Sequence, residues 1–502
     1  MTAKEETEHM ENGLDSVEEV DGEKPGISAR SDLIPQPTND PNDPLNWPTR
    51  EKYATYLTIS FFTLLSTINS SNFSVAISPV SKEFGVTTTQ AGYLVCFNVL
   101  AIGLGNLFWV ALMRCIGKRP IYLVSLLLMT GSNVWSYEAG TYASLLASRI
   151  VSGFACAAAD ATVPAVVADL FFVHERGHWM MIYHLALSGG FFLGPLIMAY
   201  IVQGAGWRWM CGVLAIAGAA TFVVGIFTIR ESTYKRAQAE ATLPASAYPA
   251  KRTIVQNLDV LRGINREESF WGIVWNMVVM MAYLPITWTG FTIGVFVGWN
   301  IVVQLTASQT FIKPPYSFSQ GEVGLLSLSG FVGACLAFFF GGKLIDLIAT
   351  RMTRAKGRRE PEYRLPAILI PALVGPAGIL VFGLCVAHKT AWIGAAVGYA
   401  MQGFGLTAVG NVVVTYSVDG YQSLAGEALV VVFVIRNTIG MLLALYTYNW
   451  QAASGVQNTF GEMVGIQFLV LLLAIPMYFY GKRVRQWTST FGPAKHVFRP
   501  NE

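Results

Sequence analysis

The chain has 502 residues, of which 53% are hydrophobic and 13% are charged, whereas an ordinary soluble domain has about 25% charged residues. This composition excludes a soluble globular protein and places the chain in the membrane class. The net charge of +3 is too small to indicate a nucleic-acid partner, and the six cysteines form no CxxC pair, so neither a disulfide framework nor a metal site is expected.

Apolar runs recur along the chain, and each is about 20 residues or longer, enough to cross about 30 Å of hydrocarbon as an α-helix. They predict an all-α membrane protein with twelve transmembrane helices. The predicted spans are residues 54–78, 88–112, 120–138, 142–170, 179–203, 208–229, 283–309, 322–342, 365–387, 391–416, 426–447 and 463–481. A further apolar stretch, 270–282, is predicted either to lie on the membrane surface or to lengthen the seventh span.

Polar segments divide the chain into domains. Residues 1–52 are acidic and proline-containing, which predicts a disordered N-terminal tail. A linker at residues 231–268 separates a first six-helix bundle, residues 53–230, from a second one, residues 269–482. Residues 483–502 form a C-terminal tail.

Lysines and arginines are distributed unevenly between the two sides of the spans. Of the 34, four lie on the side opposite the termini and two lie within spans, which leaves 28 on the side of the termini. Because cytoplasmic loops are enriched in these residues, both termini are predicted to be cytoplasmic.

An internal repeat relates the two bundles. Ser152-Gly153-Phe154 in the fourth span is followed by Asp169, and Gln402-Gly403-Phe404 in the tenth is followed by Asp419, each sixteen residues after the glycine. The period is six spans, so the bundles are pseudo-symmetric. In such proteins the substrate site lies between the repeats, near the middle of the membrane.

Several motifs resemble the major facilitator superfamily over residues 43–486. More narrowly, they are similar to the fungal twelve-span drug:proton antiporter group, in its polyamine and histidinol permease-like branch. The matching segments are Asp43–Pro48, Ile116–Leu123, Ala147–Gly153, Asp169–Gly177, Gly206–Trp209, Gly426–Ala428 and Arg436–Asn437. The resemblance implies two pseudo-symmetric six-helix bundles, a small-molecule substrate and the plasma membrane, with a vacuolar membrane left open.

The chain departs from the family pattern at three places. Arg114 stands where the loop after the second span usually has Asp, so a less tightly latched first half is expected. Ser152 stands where Gln is usual. In the fifth span Gly190, Gly194 and Pro195 match the antiporter signature, but Met198 and Ala199 replace its last glycines. The alternative for these matches is a packing kink without a role in antiport.

Asp160 is the strongest candidate for a substrate- or proton-binding residue. It lies deep in the fourth span, where a carboxylate costs at least about 2.5–3.5 kcal/mol to insert and therefore faces a cavity or a polar partner. The branch that the chain resembles has an acidic residue here, which suits a cation or a proton. The alternative is a structural Asp satisfied by its neighbours.

Other polar residues in the spans are weaker candidates for the same site. The resemblance implicates Arg149 in proton coupling, and the repeat would let Asn411 face Asp160 across the cavity. For all of them the alternative is polar contact between helices. The further candidates are Arg436, Asn437, Asn72, Gln402 and Tyr416.

Charged residues at the predicted cytoplasmic ends of the spans are expected to form a gate, and the alternative is a solvated charge cluster. Glu427 is expected to act there with Asp419 and nearby backbone amides. The predicted gate comprises Arg114, Gly117, Lys118, Arg119, Asp169, Glu175, Arg176, Asp346, Asp419 and Glu427.

These observations favour a proton-coupled secondary transporter that exports a drug, metabolite or organic cation by antiport and works as a monomer. The alternatives are uptake of a polyamine-like cation by proton symport, and a non-transporting nutrient receptor. The sequence contains no P-loop, HExxH or GxSxG motif. An enzyme is therefore not expected, and the proton gradient is expected to supply the energy in place of any cofactor.

Overall fold

The computed structural model describes residues 38, 40–234, 263, 265, 268–356, 360–421, 424–488 and 490–496. Most of the predicted N-terminal tail, most of the linker and the last six residues therefore lie outside the described residues. So does the side chain of Asp346, one of the predicted gate residues.

The described residues form α-helices and short 3-10 turns, with no strand among them. We number the α-helices in chain order. They are α1 Thr49–Ser71, α2 Ile77–Phe84, α3 Thr88–Ile116, α4 Lys118–Glu138, α5 Tyr142–Leu170, α6 Val173–Ala205, α7 Trp207–Thr228, α8 Phe270–Met280, α9 Leu284–Thr310, α10 Gln320–Lys356, α11 Leu369–Ala387, α12 Trp392–Gly420, α13 Ala425–Leu472 and α14 Ala474–Thr488.

Nine helical segments of the described chain are long and apolar enough to cross a membrane. The segment Ala425–Thr488 contains two of the predicted spans, because Gly455 has non-helical φ 76° and ψ 157° and divides α13. Two more predicted spans correspond to α1 and α4. These helices are rich in Ser, Thr and Asn, so their mean hydropathy is too low for them to count among the nine segments. Together these helices account for the twelve predicted spans and confirm the all-α fold.

Two helix pairs form the most extensive contacts between the first half of the molecule, α1–α7, and the second half, α8–α14. One pair is α3 with α13, where a Cβ added at Gly103 would lie 3.0 Å from Asn437 Cβ. The other is α6 with α10, where a Cβ added at Gly324 would lie 2.7 Å from Ala199 Cβ. Small residues thus bring the backbones of the two halves together, as is common in membrane helix packing.

The predicted repeat is visible in the packing within each half. A Cβ added at Gly153 of α5 would lie 2.3 Å from the carbonyl oxygen of Asn98 in α3. At the equivalent Gly403 of α12, it would lie 2.4 Å from the carbonyl oxygen of Gly330 in α10. Both glycines therefore permit the same close crossing of the fourth repeated helix over the second.

We expect Gly403→Ala to lower the midpoint of thermal unfolding of the purified protein. The added methyl group would overlap the Gly330 carbonyl, and overpacking of this kind costs about 1–3 kcal/mol. Gly131→Ala in α4 is the matched control, because its added Cβ would meet no atom within 4 Å. Equal midpoints for the two variants would contradict the close crossing.

Candidate functional site

A narrow cavity lies between the two halves, with a volume of about 20 Å³, enough for about one water molecule. α1 supplies hydroxyl groups to its wall, α3 supplies aliphatic side chains, and α9 supplies both aliphatic and amide groups. The cavity-lining residues are Ser66, Thr67, Ser70, Ser71, Val95, Val99, Ile102, Asp160, Phe191, Val297, Asn300, Ile301, Gln304, Arg436 and Asn437. In this conformation the two halves are almost closed around the site.

A buried ion pair spans this cavity. Arg436 Nη2 in α13 donates to Asp160 Oδ2 in α5 at 2.5 Å, and both side chains are at least 94% buried. The amide nitrogens of Asn106 and Asn437 lie 3.4 Å from the same oxygen. The pair therefore joins the two halves in a region of low dielectric, where removing one partner of an ion pair costs about 3–5 kcal/mol.

The local sequence of α5 makes room for this carboxylate. Asp160 is flanked by alanines, and the small Ala157 lets α3 pass so closely that a Cβ at Gly105 would lie 2.8 Å from its Cβ. The Tyr183 hydroxyl of α6 donates to the Asp160 carbonyl oxygen at 2.6 Å. Neighbours from three helices thus fix the position of Asp160.

Arg149, predicted to act with Asp160, lies in a different polar cluster. It is fully buried and donates to Asn69 Oδ1 at 3.0 Å and to the Asn69 carbonyl oxygen at 2.6 Å. Its guanidinium also lies 4.7 Å from the centre of the Phe73 ring. Arg149 forms no ion pair with a described carboxylate and does not line the cavity, so these contacts correspond to helix packing at the end of α1.

Four other predicted site residues also lie outside the cavity wall. Gln402 is buried and donates to the Phe296 carbonyl oxygen at 3.1 Å, and Asn72 is buried in the turn after α1. Tyr416 lies beside Gly481 of α14. Asn411 does not line this cavity, and Arg436 and Asn437 contact Asp160 there.

The antiporter-like residues of α6 pack against the hydroxyl-bearing face of α1. A Cβ added at Gly190 would lie 1.8 Å from Thr67 Oγ1, and one added at Gly194 would lie 2.9 Å from Ser71 Oγ. Pro195 is inside the same helix. Ala199, at a departure from the signature, fits because its neighbour Gly324 has no side chain. In this structure the two glycines thus allow α6 to pack closely against α1, next to the cavity wall.

The predicted gate residues lie at one end of the helices, which we call the charged end. Lys118 forms an ion pair with Asp169, and Arg364 forms one with Asp419 at 2.8 Å. These pairs occupy equivalent positions of the repeat. Between α3 and α4, Gly117 has φ 108°, a conformation that favours glycine.

At the charged end, acidic and basic side chains also form hydrogen bonds with backbone groups at the ends of individual helices. Glu231 accepts hydrogen bonds from the backbone nitrogens of Lys118 and Arg119, both at 3.0 Å, at the positive N-terminus of α4. Glu175 accepts from the Phe172 nitrogen at 3.4 Å, and Arg176 donates to the Ala168 carbonyl oxygen at 2.8 Å.

Arg114 joins the two halves at this end. It forms an ion pair with Glu427 of α13, so two of the predicted gate residues contact each other across the halves. Arg114 also pairs with Glu268 at 2.8 Å, just before α8. The basic residue that replaces the usual Asp therefore links the first half to the second.

The opposite end is also closed across the two halves. The Gly321 nitrogen donates to Gln203 Oε1 at 2.9 Å, and Gln320 donates to the Val75 carbonyl oxygen. Within the first half, Glu83 binds Trp207 and Arg208. Partial burial alone would raise the pKa of the Glu83 carboxyl, but the hydrogen bonds from Trp207 and Arg208 outweigh it and lower this pKa.

Sequence reasoning missed several residues of the site. They are Asn106 and Tyr183 beside Asp160, Asn300 and Gln304 on α9, and Glu268 beside Arg114. The amides are polar groups within apolar spans, a signal that could have found them. Among the described residues no cluster of three or more His, Cys, Asp or Glu side chains could hold a metal ion.

A family model described as Major Facilitator Superfamily matches residues 59–445. The chain belongs to the major facilitator superfamily. It is therefore a multi-pass membrane transporter and not an enzyme. Protein HOL1 of Saccharomyces cerevisiae is 25% identical to this transporter, over 96% of this chain and 94% of that protein. Efflux pump radE of Floropilus chiversii is also 25% identical, over 89% and 83%.

A solved structure of a D-xylose-proton symporter has the same fold as this transporter. It matches with a TM-score of 0.62 and 16% sequence identity, over 84% of this chain and 97% of that chain. This similarity supports the fold described above.

We expect Glu427→Gln to speed hydrogen exchange in peptides from the end of α3 and the start of α13. The Arg114 side chain is 42% exposed, so the pair contributes at most about 1 kcal/mol, and the rate should rise by no more than about five-fold. Lys482→Gln is the control, because Lys482 pairs with Glu360 within the second half. An unchanged rate in Glu427→Gln would contradict a link between the halves at this end.

Proposed function

We propose that this transporter exports small organic compounds, organic cations among them, by proton antiport across the plasma membrane. The observation that carries the proposal is the buried Asp160–Arg436 ion pair, which joins the two halves at the wall of their common cavity. Alternating access requires the halves to separate around such a site. Whatever weakens the pair therefore favours movement.

A proton and a cationic substrate compete for the same carboxylate. A proton neutralises Asp160 and releases Arg436, whereas a substrate cation takes the place of Arg436. Among the described residues that line the cavity, Asp160 is the only acidic one. Because both ligands use one group, binding of one displaces the other, and this exchange is the basis of antiport. Symport of a cation needs both ligands bound together, so this geometry favours antiport over the uptake alternative.

Arg436 has contacts that remain when it loses Asp160. Its guanidinium lies 4.4 Å from the centre of the Phe433 ring, and its Nε donates to Asn437 Oδ1 at 3.0 Å. A buried cation is stabilised by an aromatic face and by a neutral acceptor. These contacts lower the cost of opening the ion pair and make it suitable as a switch.

The direction of transport is proposed on two grounds. Gly190 and Gly194 preserve part of the antiporter signature at the cavity wall, and one relative of similar length is named an efflux pump. The proton gradient supplies the energy in this proposal. Both halves of the site belong to one chain, so the proposed functional unit is a monomer with both termini in the cytoplasm.

We expect Asp160→Asn to abolish proton-driven transport in reconstituted vesicles. The assay would screen cationic dyes, azole-like drugs and polyamines, with the proton gradient in each orientation. The wild-type protein should accumulate at least one of these compounds in the direction opposite to proton flow. Asp160→Asn should lose this accumulation, because its amide cannot exchange a proton near neutral pH.

Two controls separate the loss of a titratable group from the loss of a fold. Asp160→Glu should retain proton-driven transport, and the double variant Asp160→Asn with Arg436→Gln should fold without an unpaired buried cation. Proton-driven flux that persists in the double variant would refute the role of Asp160. Accumulation in the direction of proton flow would instead establish symport.

A further inference from the structure

We propose that Asn300 of α9 selects substrates that carry a hydrogen-bond acceptor, so that the substrate class is an amphipathic organic cation with an acceptor oxygen. The cationic part of this inference rests on the proposed function. The acceptor part rests on the orientation of two amide side chains in the cavity wall and is independent of proton coupling.

The orientation of the Gln304 amide is set by a backbone carbonyl. Gln304 Nε2 donates to the carbonyl oxygen of Phe191 in α6 at 3.2 Å. A carbonyl oxygen only accepts hydrogen bonds, so the amide nitrogen of Gln304 must be the end that faces it. Because Phe191 belongs to the first half, this bond also crosses the cavity wall from one half to the other.

Gln304 in turn sets the orientation of Asn300. The same Nε2 donates to Asn300 Oδ1 at 2.8 Å, which leaves the amide nitrogen of Asn300 as the free end. That nitrogen is buried and makes no hydrogen bond to any described residue. Tyr399 lies next to both amides, and its hydroxyl is 3.2 Å from Gln304 Nε2. Asn300 Nδ2 itself makes no hydrogen bond to that hydroxyl.

An unpaired donor in this position is available to a ligand in the cavity. Asn300 is only 2% exposed, and it lines the same cavity as Asp160. A buried polar group without a partner costs about 1–3 kcal/mol, which a ligand that accepts a hydrogen bond from Nδ2 would recover. A ligand without such an acceptor would leave the donor unpaired and bind more weakly.

The rest of the wall defines the body of the substrate. Val95 and Val99 of α3 face the cavity from the first half, and Val297 and Ile301 of α9 face it from the second. A compound that places its cation at Asp160 and its acceptor at Asn300 would bury an apolar body between these residues. Linear cations whose only polar groups are N–H donors do not satisfy Asn300.

The test compares two quaternary ammonium ions of equal length, one with an ester carbonyl in its chain and one with an all-carbon chain. Their affinities for the full-length protein in detergent would be measured by isothermal titration calorimetry, without a proton gradient. The wild-type protein should bind the ester about ten-fold more tightly, consistent with one satisfied buried donor. Asn300→Leu should remove this preference.

Two further variants test the role of Asn300 if Asn300→Leu does not fold. Asn300→Asp keeps the side-chain size but offers an acceptor, so it should reverse the preference for the ester. Asp160→Asn should weaken both ions equally and leave the preference intact. Equal affinities of the wild-type protein for the two ions would overturn the inference.

A second compound pair separates this inference from the proposed function. It consists of a neutral ketone and the alkane of the same length. If neither ammonium ion binds but the ketone binds more tightly than the alkane, Asn300 selects for an acceptor and the proposal of a cationic substrate is refuted. If the ketone and the alkane bind equally while the ammonium ions bind, the acceptor selection fails and the proposed function stands.

Discussion

The ion pair between Asp160 and Arg436 is the interaction on which the organisation of this transporter depends. Two opposite charges are costly to bury separately in a membrane protein, and together they are tolerated only if the surrounding helices hold them in contact. The two residues are contributed by different halves. When the two halves close on each other, the charges of Asp160 and Arg436 neutralise each other. A ligand that changes the charge of this pair therefore also changes how the halves close.

The surrounding helices are built to keep this pair in place. Alanines next to Asp160 and glycines along α3, α6 and α10 bring backbones close enough for the polar groups of several helices to reach one point. The hydroxyl groups of α1 and the amides of α9 form the polar part of the cavity wall. The same polar residues explain why α1 is less apolar than most of the other spans, since one face of this helix lines the cavity and not the lipid.

The sequence was sufficient to predict the fold, but it did not show which residues contact one another within that fold. Apolar runs, the internal repeat and the superfamily motifs predict the helices because these signals are local. Asp160 and Arg436 were each recognisable as costly charges in a span, but their contact joins positions 276 residues apart, which no local pattern encodes. The repeat suggested Asn411 opposite Asp160, but a repeat identifies equivalent positions and not facing ones, and Asn411 does not line the cavity. The orientation of the Asn300 amide depends on a backbone carbonyl of another helix, so it became visible only in three dimensions.

The ion pairs at the charged end have a mechanical consequence. Lys118–Asp169 and Arg364–Asp419 each lie inside one half, whereas Arg114–Glu427 joins the halves. A rocking movement of one half against the other would break the pair between them and leave both internal pairs intact. Each half would then rotate as a rigid body. Among the described ion pairs at this end, those of Arg114 would be the ones to resist that rotation.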